Sequence, residues 1–117
     1  MQFKYFSMDE FKCQETGKNK IDPYFVECLD SLREVCDFPF VITSGYRDPS
    51  HSIEANKPNG PGTHAHGIAC DIKVSNGAER FIIVRNALDM GCFKGIGIDK
   101  GFIHVDIRTT DPVIWTY

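Results

Sequence analysis

Two apolar stretches carry polar residues where a buried strand would be expected to have none. The first is Ile68-Ala69-Cys70-Asp71-Ile72-Lys73-Val74, with Asp71 at its centre. In the second, Phe102-Ile103-His104-Val105-Asp106-Ile107, His104 and Asp106 alternate with branched apolar residues. Side chains two apart on a strand share a face, so His104 and Asp106 point the same way. A carboxylate or imidazole inside an apolar strand costs free energy unless it is paired or bound to a metal. For any one of the three, simple alternation toward solvent is an equal reading. Together they favour a sheet that gathers polar groups at a site.

The remaining segments supply an α+β frame. A length of 117 residues points to one domain, residues 1–117. Asp22-Pro23 opens a helix, with Asp as N-cap and Pro at the first helical position. Phe25, Leu29, Leu32 and Cys36 then recur at helical spacing up to about Asp37, and Pro39 stops the run. Phe40-Val41-Ile42-Thr43 reads as a buried strand. Periodicity then disappears between Tyr46 and Thr63, a loop long enough to be functional. Asn76 and Glu79 resemble a capping box for a second helix carrying Phe81, Ile82, Val84, Ala87 and Leu88, with Gly91 as its C-cap. Gly95-Ile96-Gly97-Ile98 and the second polar stretch form a hairpin, and Pro112-Val113-Ile114-Trp115 adds an edge segment. The expected fold is α+β, a single antiparallel-rich sheet with helices packed on one face.

Composition narrows the functions. A net charge of −3 supplies no basic field, which argues against nucleic acid as partner. No apolar run approaches the roughly 18 residues of a membrane span, so membrane insertion is not expected. The first ten residues lack the apolar core of a secretory signal, and synthesis in the cytoplasm is the expectation. Five cysteines at scattered spacings, with no C-x-x-C pair, read as free thiols in a reducing compartment. Cys28 and Cys36 fall in the first helix pattern as small core residues.

His64 ends the irregular loop, seven residues before Asp71. A loop end and a neighbouring strand can bring both side chains to one point, with the small residues Gly67 and Ala69 letting the backbone pass close to an ion. A second histidine from a distant strand would complete a three-ligand site. Two imidazoles and a carboxylate, with a fourth position left for water, are the ligand set of catalytic zinc.

The pattern His64-x-x-Gly67-x-Ala69-x-Asp71, followed by His104-x-Asp106, resembles the metal motif of the zinc D-alanyl-D-alanine carboxypeptidases. Phage endopeptidases and the hedgehog signalling domain share that fold. Upstream, Ile42-Thr43-Ser44-Gly45-Tyr46-Arg47 is similar to the segment these peptidases place before the metal loop, and the likeness extends over about residues 6–115. The resemblance implies a hedgehog/DD-peptidase-like sheet and one zinc per chain held by His64, Asp71 and His104. It also implies a peptidoglycan stem peptide or related cell-wall peptide as substrate, with Arg47 binding its carbonyl or carboxylate and Ser44 and His66 as further contacts. Delivery by a phage, in the virion or at the host cell wall, fits an enzyme made without a leader. Two positions depart from the pattern. Gly62 stands where many relatives have Ser, and Gly101 where several have their catalytic acid. Asp106 is then the first candidate for general base or for orienting His104, Asp99 the second, with Glu54 and His66 behind them. The alternative is a non-catalytic zinc-binding or virion structural module of the same fold.

Overall fold

A computed structural model describes residues 2–117. Its elements are a 3₁₀ turn (Met8–Phe11), α1 (Pro23–Cys36), β1 (Ile42–Ser44), α2 (Ser52–Ala55), β2 (Ala69–Lys73), α3 (Gly77–Met90), β3 (Gly95–Ile98), β4 (Phe102–Asp106) and β5 (Val113–Thr116). Both long helices begin and end on local chemistry. The Asp22 carboxylate accepts the Tyr24 amide, and Asp37 ends α1 in the left-handed region. Asn76 accepts from the Glu79 amide, and Gly91 closes α3, also left-handed.

The strands form one five-stranded sheet in the order β1-β2-β4-β3-β5. β2 pairs antiparallel with β1 and β4, and β4 antiparallel with β3. The sheet is nonetheless mixed, which corrects the expectation of an antiparallel-rich one, because β5 runs parallel to β3. Register explains the difference. The end of β4, Asp106, lies opposite the start of β3, Gly95. A short connection that steps across β3 from there emerges at the same end, and Val113 donates its amide to the Lys94 carbonyl. β5 then has no direction to run but alongside β3.

Strand alternation divides the sheet into two chemically distinct faces. Cys70, Ile72, Ile103, Val105 and Ile96 enter a core shared with Phe25, Leu29 and Leu32 of α1 and Ile83 and Ala87 of α3. Phe81 and Leu88, apolar in the α3 pattern, turn to solvent instead. The opposite face carries Asp71 on β2 and His104 and Asp106 on β4. Asp71 and His104 are directly opposed in the ladder. The loop before β2 and its one-turn helix α2 lie on this polar side, so α1 and α3 cover one face while the loop flanks the site on the other. All five cysteines are free, and all except Cys92 are buried.

Candidate metal centre

Each of the three side chains arrives by a different structural device. Asp71 and His104 come from adjacent central strands, fixed by register. His64 comes from the loop, whose path depends on two glycines. Gly67 adopts φ +73° and passes so close to the Lys20 carbonyl that a Cβ would collide with it, while its own carbonyl accepts the Asp22 amide at 2.8 Å. Its role is thus to seat the loop against the N-terminal segment rather than to admit an ion. Gly45 presses on the Phe11 backbone, where a Cβ would lie 2.7 Å from the carbonyl oxygen, and presents its own carbonyl to His64.

The hydrogen bonds behind the rings decide which atoms face the centre. His64 Nδ1 lies 2.8 Å from the Gly45 carbonyl. His104 Nε2 lies 2.7 Å from Asp106 Oδ2. A carbonyl and a carboxylate accept protons, so those ring nitrogens carry them and His64 Nε2 and His104 Nδ1 present lone pairs. These two nitrogens are 3.2 Å apart, and each stands 3.3 Å from Asp71 Oδ1. That oxygen is buried and has no hydrogen-bond partner. Three acceptors this close repel one another unless a cation lies between them. Their separations are those of three corners of a tetrahedron with a centre about 2.0 Å from each atom, the usual zinc–ligand distance. The donor set therefore fits a zinc ion, and His64, Asp71 and His104 form the cluster able to hold a metal among the described residues.

Burial and neighbouring charges pull these groups in opposite directions. Burial pushes the Asp71 carboxyl up, but His104 and His64 beside it hold it well below the usual carboxylate range. Asp106, fully buried, is likewise driven up by burial and brought far down by His104 and by Arg108. Burial lowers the His104 imidazolium, and Asp106 and Asp71 overcome this to leave it raised.

The cluster opens into a cavity of about 500 Å³. One flank comes from the loop side, with Arg47, Ile53, Lys57 and Gly62. The other comes from the β4 and β5 side, with Phe102, Trp115 and Tyr117. Arg47 bonds Glu54 through Nη1 at 3.2 Å and lies 3.5 Å from Asp71 Oδ2 through Nη2. Ser44, expected to meet substrate, accepts from Arg47 Nε at 3.1 Å. His66 is exposed and opens onto a separate surface depression.

Each of the acids expected as general base is engaged by other groups. Asp106 sits behind the His104 ring, its Oδ1 accepting the Arg108 amide and Nε and its Oδ2 accepting Arg108 Nη2 and His104 Nε2. It has no oxygen turned to the cavity. Asp99 caps the β3–β4 turn by accepting the Gly101 amide at 2.8 Å. Glu54 is buried between Arg47, Lys57 and the Gly62 amide.

Lys57, Arg108, Phe102, Trp115 and Tyr117 also belong to the site, though none sits in a motif that marks it out. A signal for one of them, Trp115, was present in Gly97 of Gly95-x-Gly97. These glycines clear one face of β3, where a Cβ at 95 would collide with the Asp106 carboxylate and one at 97 would lie 2.7 Å from the Trp115 indole. Trp115 in turn packs against His104, ring centroids 5.0 Å apart, and takes the Arg108 guanidinium over its face.

No curated protein matches the chain at a significant level. A family model described as peptidase M15 matches residues 4–106, a span that includes His64, Asp71 and His104 and the segment that positions them. With most of its length matched, the chain belongs to the peptidase M15 family.

Proposed function

We propose that the chain is a zinc metallopeptidase that cleaves a peptide bond beside a D-amino acid in bacterial cell-wall peptides, as a D,D-carboxypeptidase or endopeptidase. The observation that carries this reading is the unpartnered Asp71 Oδ1 facing two imidazole lone pairs at the base of an open cavity. One zinc per chain, held by His64, Asp71 and His104, would lower the pKa of a bound water to about 7 and polarise the scissile carbonyl. Asp106 fixes the tautomer and orientation of His104, and Arg108 fixes Asp106. Arg47, aimed by Ser44 and Glu54, is placed to hold a substrate carbonyl or carboxylate through its remaining guanidinium edge. Phe102, Trp115 and Tyr117 give the opposite flank an apolar surface for the peptide and keep bulk water from the ligand rings. The phage setting that the resemblance implies belongs to the same proposal.

One observation favours the alternative of a non-catalytic zinc module. Among the described residues lining the cavity, Asp71 is the sole carboxylate, and Gly101 stands where an acid is expected. Digestion of purified peptidoglycan, with and without a chelator, separates the two readings. Chelator-sensitive release of peptide fragments supports the peptidase, and zinc-loaded protein that releases none leaves the binding module.

A further inference from the structure

Lys57 occupies an unusual place in the cavity wall. Its ammonium lies 3.0 Å from Glu54 Oε2, and the same oxygen accepts from Arg47 Nη1. It also fills the space that a side chain at position 62 would take, since a Cβ on Gly62 would come within 2.7 Å of Lys57 Nζ. The glycine two residues before His64 is therefore what admits the lysine to the cavity.

The charges around this point do not balance. Arg47 and Lys57 share the single carboxylate of Glu54. The other acid within reach of Arg47 is Asp71, whose charge is committed to the metal in the reading above, on which this inference rests. One positive charge is left over on a partly desolvated wall, where Arg47 is 15% and Lys57 34% exposed. A charge so placed is favourable when an anion meets it and costly when none does. A carboxylate on a bound peptide, close to the bond presented to His64, Asp71 and His104, would satisfy it.

We propose that Lys57 is a specificity-determining residue, which together with Arg47 receives a free carboxylate of the substrate and discriminates against the corresponding carboxamide. A carboxamide brings no charge to offset the excess, and its NH₂ group would face two cations that only donate.

The test uses zinc-loaded protein and a synthetic stem peptide, prepared with its carboxylates free and with each converted in turn to the amide. At one carboxylate position the free form should show kcat/KM at least ~10-fold above the amide, the scale of one charge-assisted hydrogen bond. In Lys57→Met the two forms should come within about twofold of each other, with the loss falling on KM. Lys57→Arg should keep the discrimination. Gly62→Ala should mimic Lys57→Met, because the displaced atom is the far end of a flexible side chain and Glu54 keeps Arg47 and the position-62 amide as partners. Calorimetric binding of the same peptides reads the preference where no cleavage occurs. Zinc-loaded protein that binds the free form selectively but cleaves neither counts against the peptidase reading alone. Equal affinity for both forms in the unaltered protein, or undiminished preference in Lys57→Met and Gly62→Ala, overturns the role of Lys57 and leaves it as a structural partner of Glu54.

Discussion

His104 Nε2 and Asp106 Oδ2 stand 2.7 Å apart on the same strand face, with the imidazole between the carboxylate and the cavity. From there Asp106 is expected to act on the centre through the ring. Asp106→Asn is expected to weaken zinc affinity by roughly 10–100-fold, with activity recovered at higher zinc. Asp99→Asn, which alters a turn cap, should leave zinc affinity unchanged. Titration with a competing chelator checks both. A zinc-saturated Asp106→Asn protein that stays inactive would return Asp106 to the position of general base.

Removing the metal should also loosen the fold. A small domain that spends binding free energy on assembling its ligands melts lower without the ion. His64→Ala, Asp71→Ala and His104→Ala should each lower zinc content, measured by elemental analysis on protein without a histidine tag. Chelation should lower the melting temperature of the unaltered protein and have little further effect on the variants. Full zinc retention in any one variant removes that residue from the ligand set.

Trp115 is the single tryptophan, and its ring packs 5.0 Å from His104. Zinc binding should therefore change the intrinsic emission. Gly97→Ala places a methyl group against the indole, at an expected cost of about 1–3 kcal/mol for overpacking. The emission response should shrink in that variant although zinc still binds. An unchanged response would place Trp115 away from the ring.

Glu54 gives the fold a predictable sensitivity to acid. Burial raises its carboxyl, but the Gly62 amide, Lys57 and Arg47 bring it below its ordinary value. A depressed carboxylate stabilises the folded chain above the unfolded pKa of about 4.3 and loses that contribution as pH falls through the folded value. Glu54→Gln should cost roughly 3 kcal/mol at pH 7, the low end for breaking a buried pair, because Lys57 keeps contact with water. Below about pH 4 the gap between the two proteins should narrow. Urea unfolding at pH 7 and pH 3.5 measures it.

Much of this arrangement was written in local signals. Asp22-Pro23, Asp37, Asn76 and Gly91 bound the helices through contacts within a few residues, so the chain alone reveals them. The alternation of His104 and Asp106 with Ile103 and Val105 likewise announces a polar face. Alternation does not say which ring nitrogen meets which acid, and so Asp106 read equally well as base or as orienter. The parallel seat of β5 depends on β3, some 18 residues away, and no pattern in Val113-Ile114-Trp115 encodes a partner. The loop was recognisable by its lack of period. For the same reason nothing in it foretold α2 or the sharing of Glu54 by Arg47 and Lys57. The likeness at His64, Asp71 and His104 named three residues that the fold brings together, while Trp115 and Tyr117 lie beyond the family match.

The direct opposition of Asp71 and His104 makes the centre a gauge of strand alignment. Sliding β2 past β4 by a single residue would turn Asp71 into the apolar layer and bring a core side chain opposite His104, leaving no pair to share an ion. Bound metal would then mark a chain whose two central strands have met in the right frame. A preparation's zinc content would count correctly assembled molecules, including among species whose secondary structure looks the same by circular dichroism.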